Sequence, residues 1–100
     1  MKDNNLENNK ILNKEEQINL GKKILLSMNK EYEKCLVIKD LSKTEENIDA
    51  IYLCIAIRGG GAIIVGADGK VLFEGSQTDF DKHLKEYKMG KRTDINIFKK

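Results

Sequence analysis

Apolar side chains recur at helical spacing near the start of the chain, and this pattern predicts a first helix over Asn13–Met28. Asn13 precedes the pattern and Glu16 follows three residues later, which is the spacing of a capping box. Lysines lie toward the C-terminal half of the segment, where the helix dipole favours them. The positions expected to face the core are Ile18, Leu20, Gly21, Ile24, Leu25 and Met28.

The next apolar run, CLVIK over residues 35–39, predicts a strand. It is short, rich in β-branched side chains and bounded by charged residues. A continued helix is the alternative interpretation of this run.

Two patterns compete between Ser42 and Ile57. Ser42 and Glu45 have capping-box spacing, and the apolar side chains that follow recur at helical intervals. The run IYLCIAI, by contrast, is apolar on both faces and rich in isoleucine, as in a central strand. The start signals lead us to expect a helix that ends at Gly59–Gly61. The sequence leaves the strand interpretation open for residues 44–57.

A β-hairpin is predicted where two short apolar runs, Ala62–Val65 and Val71–Glu74, surround the sequence GADGK. Asp68-Gly69 is a strong turn signal, because glycine adopts the positive φ that such a turn requires.

The last predicted helix covers Thr78–Met89, with Thr78 as its cap and Gly90 as its stop. The side chains expected to be buried along it are Phe80, Leu84 and Tyr87, with His83 beside them. The apolar residues that follow it either dock as a short strand or trail from the domain: Ile95, Ile97 and Phe98.

These elements predict an α+β fold in which a small, antiparallel-dominated sheet with a central β-hairpin packs against three helices. We expect the element order helix–strand–helix–hairpin–helix, with the helices on one face of the sheet. Residues 1–12 are expected to be a disordered polar tail, and residues 13–100 a single domain. Uncovered sheet edges would invite strand addition, so a homodimer is one expected assembly.

The composition is that of a soluble globular protein, since 40% of the 100 residues are hydrophobic and 34% are charged. A net charge of +2 does not by itself imply a nucleic acid or a membrane as partner. No apolar run approaches the roughly 20 residues that span a bilayer. We therefore expect a cytoplasmic protein without a membrane partner, whose two cysteines, Cys35 and Cys54, are reduced and buried.

The glycine-rich stretch RGGGAIIVGADGKVLFEG raises the question of a phosphate site, but it fits neither common phosphate-binding pattern. Val71 follows Gly69-Lys70 where a P-loop has Ser or Thr, and Ile64 stands where a dinucleotide fingerprint has its third glycine. We expect no cofactor, and glycines that let the chain reverse and pack closely.

The histidine, cysteine and acidic residues of the sequence show no arrangement typical of a catalytic site. His83 is the only histidine, and both cysteines lie in apolar runs that favour inert thiols. No cysteine or histidine spacing indicates a metal site, and most acidic pairs stand at predicted helix starts. The sequence therefore predicts a protein that is not an enzyme.

Residues 78–100 hold an excess of basic side chains, which suggests nucleic-acid binding as one alternative. Acidic residues are mixed in and no nucleic-acid-binding motif appears, so a solvated face is the favoured interpretation. The basic residues concerned are Lys82, Lys85, Lys88, Lys91, Arg92, Lys99 and Lys100.

A resemblance supplements this picture. The segments IRGGGAIIVGADGKVLF and SQTDFDKHLKEYKMGKRT, within residues 57–93, are similar to the C-terminal half of small bacterial proteins. Some of these resemble the immunity proteins of polymorphic or contact-dependent toxin systems. The resemblance implies a non-enzymatic protein that masks a cognate toxin domain.

The first hypothesis is thus a cytosolic protein-binding module. Inhibitors of nucleases often present an acidic face, so either this mildly basic chain has a local acidic patch or its partner is not a nuclease. The residues expected to form that patch are Glu31, Glu33, Asp40, Glu45, Glu46 and Asp49. The alternative hypothesis is a small-molecule-binding or enzymatic domain that uses Arg58 and the Gly59–Gly61 loop.

Overall fold

The computed structural model describes residues 11–28, 30–57, 60–75 and 77–94. The α-helices within these ranges are α1 (Lys14–Leu26) and α2 (Phe80–Lys88). The strands are β1 (Leu36–Asp40), β2 (Ala50–Ile55), β3 (Ala62–Gly66) and β4 (Val71–Glu74). Short 3-10 helices cover Lys30–Cys35 and Leu41–Lys43. The α+β class is confirmed, but the third α-helix is wrong for the described part of the chain.

The four strands form one antiparallel sheet in the order β1-β2-β3-β4, so each strand pairs with its neighbour in sequence. The predicted hairpin is confirmed as β3 and β4, with Ile64 opposite Leu72. Gly69 in its turn has a φ of +84°, and Asp68 accepts a hydrogen bond from the Lys70 amide at 2.9 Å. The turn chemistry is therefore the one that the sequence predicts.

The helix expected over residues 42–57 is wrong, because this region contains strand β2. Ile51 and Leu53 pack into the core on one face of the sheet, while Ala50 packs on the other. A strand covered on both faces needs apolar side chains at successive positions, which explains the run IYLCIAI. Burial on two faces outweighs the local helix signals here.

Those local signals correspond to the short 3-10 helix Leu41–Lys43. Asp40 caps it by accepting a hydrogen bond from the Ser42 amide at 3.0 Å. The hydroxyl of Thr44 then accepts one from the Glu46 amide, and Asn47 has a positive φ of 50°. The segment thus turns into β2 instead of continuing as a helix.

The two helices lie on opposite faces of the sheet, so the expectation that they share one face is also wrong. Ile24 and Leu25 of α1 pack with Ile63 and Val65. On the other face, the core of α2 side chains and their partners comprises Leu84, Tyr87, Leu41, Ala50, Ile64 and Leu72. Side chains alternate between faces along a strand, and each face of β2 and β3 needs its own cover.

One of the two predicted N-terminal helix caps is confirmed, and the other is wrong by one residue. The capping box of α1 is confirmed, since Asn13 accepts from the Glu16 amide at 2.8 Å and donates its own amide to Glu16 at 2.9 Å. The cap of α2 is Asp79, which accepts from the Lys82 amide, and not Thr78. Gly90 follows α2 with a φ of +97°.

The described structure also attaches the start of the domain to the hairpin. The amide of Leu12 donates to the carbonyl of Ala67 at 2.7 Å, beside the turn between β3 and β4. Residues 1–10 of the predicted tail, and the residues 95–98 expected to dock or trail, lie outside the described residues.

Candidate functional site

The two edges of the sheet differ in how their backbone groups are used. At the β4 edge, the amide of Thr93 donates to the carbonyl of Val71 at 2.7 Å. The hydroxyl oxygen of Thr93 accepts from the amide of Phe73 at 2.9 Å. The segment after α2 therefore occupies the outward-facing carbonyl of Val71 and amide of Phe73, and Thr93 closes the edge at these two residues.

The β1 edge is open in the described part of the chain, where β2 is the one strand that pairs with β1. The amide of Ala56 donates to the carbonyl of Cys35 at 2.8 Å, and this bond sets the phase of the ladder. Hydrogen-bonded positions alternate in an antiparallel pair. The backbone groups of Val37 and Lys39 therefore face β2, and those of Leu36 and Ile38 face outward.

The open edge carries two apolar side chains in succession. Val37 is 48% exposed and Ile38 is 43% exposed. Ile38 lies opposite Leu53 on the α1 side, and Val37 lies opposite Cys54 on the α2 side. Helix α1 packs mainly on β2 and β3, and α2 packs toward β4 at the opposite edge, so both faces of β1 keep an exposed apolar side chain.

The charged side chains of β1 are held by contacts within the domain. The ammonium of Lys39 lies 4.5 Å from the ring centroid of Phe80. Asp40 forms an ion pair with Lys14 of α1 at 2.8 Å and also accepts from the Ser42 hydroxyl. The Lys14 and Ser42 hydrogen bonds lower the pKa of Asp40 to about 2. Asp40 is therefore ionised and fixed at the end of the strand.

The six acidic residues predicted to form one patch are divided between the two ends of β1. Glu31 and Glu33 belong to the 3-10 helix before the strand. The other four residues lie at the last residue of β1 or beyond it. They are Asp40, Glu45, Glu46 and Asp49. At roughly 3.3 Å per residue, the length of the strand separates them from Glu31 and Glu33. The acidic groups thus flank the apolar edge, and their role in binding stays a prediction.

Asp40 and Glu46 of that acidic set form ion pairs within the domain. Besides the Asp40–Lys14 pair, Glu46 lies 2.6 Å from the ammonium of Lys88 on α2. Glu45 and Asp49 are exposed. The acidic surface after β1 is therefore smaller than the sequence suggests.

His83 lies in the core between α2 and the sheet, where it is 1% exposed. Its Nε2 atom is 2.8 Å from the carbonyl of Leu72, and its Nδ1 atom has no hydrogen-bond partner among the described residues. Burial lowers the pKa of His83 below its usual value. Its ring also meets that of Tyr52 edge-on, so the side chain has the packing role that the sequence favours.

Only part of the glycine-rich loop, Gly60 and Gly61, lies within the described residues. Arg58 and Gly59 lie outside the described residues. At Gly60, an added Cβ would lie 2.6 Å from the Cβ of Ile55, and at Gly61 it would lie 2.8 Å from the Phe73 ring. Both glycines therefore permit close packing of the chain against neighbouring strands, as the sequence interpretation expects.

Several basic groups near the end of the described chain are engaged internally. Lys88 and Lys91 pair with Glu46 and Glu86, respectively. The guanidinium of Arg92 lies 3.7 Å from the ring centroid of Tyr87 and donates to the Tyr87 carbonyl. Lys99 and Lys100 lie outside the described residues.

Sequence reasoning missed Val37 and Ile38 as candidate interface residues. It predicted their strand but not the position of that strand at an edge. The available signal was the contrast between two runs. IYLCIAI is apolar throughout, as in an inner strand, whereas CLVIK is followed directly by Asp40.

Within the described ranges, no helix is long and apolar enough to cross a membrane. The same residues contain no group of three or more histidine, cysteine or acidic side chains that could hold a metal ion. Comparisons of the chain with protein-family models, curated proteins and solved structures gave no significant match.

Proposed function

We propose that this chain is a non-catalytic protein-binding module that takes an extended segment of its partner as an added strand along β1. The observation that carries this proposal is the contrast between the two sheet edges. Thr93 closes the β4 edge, whereas Val37 and Ile38 lie exposed along a β1 edge that no other described strand covers.

Strand addition suits this edge for two physical reasons. The outward amides and carbonyls of Leu36 and Ile38 supply main-chain hydrogen bonds, which give such complexes much of their affinity. The exposed side chains of Val37 and Ile38 lie on opposite faces, so an added strand would bury apolar surface on both. The main-chain hydrogen bonds and the burial of apolar surface both favour a protein segment over a small polar ligand.

Charges of both signs stand around the edge, since Lys30, Lys34 and Lys43 are exposed beside acidic residues. Glu31 and Glu33 stand before β1, while Glu45 and Asp49 stand after it, and all four are exposed. Exposed charges of this kind steer association more than they add affinity. The resemblance to immunity proteins makes a bacterial toxin domain the proposed partner, neutralised in the cytoplasm by stoichiometric binding.

The decisive experiment compares the wild-type chain with Ile38→Lys and with the control Met89→Lys. Met89 is 75% exposed just beyond α2 and matches Ile38 as an apolar surface residue. The binding partner to test first is the protein encoded by the neighbouring reading frame, titrated by calorimetry. We expect one-to-one binding that Ile38→Lys weakens at least tenfold and that Met89→Lys leaves unchanged.

Hydrogen exchange on the same complex locates the contact. The amides of Leu36 and Ile38 should gain protection when the partner binds, because they would donate to its added strand. Binding that is equally tight in Ile38→Lys, with no added protection along β1, would refute the proposal.

A further inference from the structure

We infer that, in the absence of another partner, β1 pairs antiparallel with β1 of a second copy about a two-fold axis at Ile38, which joins the two sheets. This inference uses the same edge as the proposed function, so a partner strand would have to displace the second copy.

The geometry of β1 is symmetric about Ile38. The ladder with β2 turns the backbone groups of Leu36, Ile38 and Asp40 outward, and Ile38 is central among them. A two-fold axis at Ile38 places Leu36 opposite Asp40 of the second copy and Ile38 opposite Ile38. Each of these pairs exchanges both of its hydrogen bonds, so the whole strand is used.

Charge favours a two-fold axis at Ile38 over one at the next residue, Lys39. A two-fold axis at Lys39 would set two ammonium groups directly opposite each other, which is destabilising. With the axis at Ile38, Lys39 lies opposite Val37 of the second copy, beside its own contact with the Phe80 ring. The exposed side chains of Ile38 would then cover each other on the α1 side.

One pair of residues that flank β1 is complementary under the same axis. Glu33 and Lys43 are both exposed, lie before and after the strand, and are equally distant from Ile38 in sequence. An antiparallel arrangement therefore brings the end of β1 that carries Glu33 to the end of the second copy that carries Lys43. This pair sets unlike charges near each other at both ends of the paired strands, whereas Glu31 and Glu45, each seven positions from Ile38, set like charges near each other further out.

The usual protections of an exposed edge are weak here. Natural edge strands are blocked by proline, by outward lysines or by bulges. The chain has no proline, β1 pairs with β2 in an unbroken register, and Lys39 is turned over Phe80. Because Thr93 closes the β4 edge, pairing at β1 gives a closed dimer and does not propagate into a fibre.

The dimer should be weak enough to exchange. A ladder of five residues buries less surface than the roughly 1,200–2,000 Å² of a standard stable interface. We expect half-dissociation at micromolar or higher concentration, which lets a partner with further contacts compete.

Sedimentation velocity on the full chain, from low micromolar to near-millimolar concentration, tests the inference. The expected result is a rise in mass from 11.4 kDa toward twice that value. Ile38→Lys should raise the dissociation constant at least tenfold, and Met89→Lys should leave it unchanged. Circular dichroism on each variant checks that the fold is retained.

An intermolecular contact between the two copies tests the strand register of the dimer. Val37 and Lys39 of the two copies would form a non-hydrogen-bonded pair, in which the α-carbons approach to about 4.5 Å. A mixed isotope-labelled sample should therefore show an intermolecular contact between the Hα atoms of Val37 and Lys39.

Three outcomes overturn the self-pairing. They are a monomer at every concentration, a dimer that Ile38→Lys does not weaken, and a monomer whose Leu36 and Ile38 amides are protected at every concentration. The last result would mean that another part of the same chain covers β1. A monomeric wild type whose Leu36 and Ile38 amides exchange freely still permits the proposed function, whereas partner binding that is not weakened by Ile38→Lys refutes that function and leaves the dimer intact.

Discussion

The Nε2 atom of His83 lies 2.8 Å from the carbonyl oxygen of Leu72, which joins α2 to β4 inside the core. A carbonyl can only accept, so Nε2 carries the proton and donates. Nδ1 is then unprotonated in the neutral ring, and it has no hydrogen-bond partner among the described residues. Protonation of Nδ1 would place a positive charge in a site built from apolar side chains.

This arrangement predicts that stability falls as the pH drops below the ordinary histidine pKa of 6.5. The folded pKa is lowered by burial, so the unfolded chain binds the proton more readily in the window between the two values. Urea unfolding at pH 7.5 and at pH 5.5 measures the effect. His83→Gln, which keeps a donor for Leu72, should reduce the difference between the two pH values.

The histidine is the only one in the chain, which makes that comparison clean. Equal pH dependence in the wild type and in His83→Gln would contradict the prediction and assign the effect to groups other than His83.

Asp40 predicts a second loss of stability, in a lower pH window. Its hydrogen bonds with Lys14 and Ser42 lower its pKa from 3.8 to about 2. The stabilisation is therefore present above pH 3.8 and is lost as the pH falls toward 2. The Lys14 side chain is about half exposed and Asp40 is partly exposed, so Lys14→Met should cost at most about 1 kcal/mol at pH 7 and low salt. Added salt should shrink the difference, and Lys22→Met is the control.

Gly60 tests the packing of the glycine loop. The described glycines with positive φ are Gly69 and Gly90, so the case for Gly60 rests on space and not on backbone conformation. A Cβ there would lie 2.6 Å from the Cβ of Ile55 and 2.8 Å from its carbonyl oxygen. Gly60→Ala should destabilise the domain by about 1–3 kcal/mol. Gly75→Ala, which meets no atom within 4 Å, is the matched control in a denaturant titration.

Local sequence signals predicted the elements whose determinants lie within a few residues. The Asn13–Glu16 capping box and the Asp68-Gly69 turn were both confirmed, because each depends on contacts between near neighbours. Residues 44–57 were not, since helical spacing and burial on two faces are both satisfied by the same isoleucines. Which pattern prevails depends on the α2 layer, and its packing against Ala50 is a long-range contact.

The candidate interface was harder to predict for the same reason. An edge is a property of the whole strand order, and that order required β2 to be a strand. With a helix at residues 42–57, Val37 and Ile38 could not be assigned to an edge. The acidic residues were visible in sequence, but the pairing of Asp40 with Lys14, 26 positions away, was not.

Thr93 provides the last prediction, because it closes the edge opposite to β1. Thr93→Val removes the oxygen that accepts from the Phe73 amide, while the Thr93 amide can still donate to Val71. The Phe73 amide would be left without this acceptor in a partly buried site, at a cost of about 1–3 kcal/mol. Thr93→Ser keeps the hydroxyl and should retain most of the stability, whereas a valine variant as stable as the serine variant would contradict the role of this hydrogen bond. Amide exchange at Phe73 should accelerate in Thr93→Val alone, because the protecting bond is lost only there.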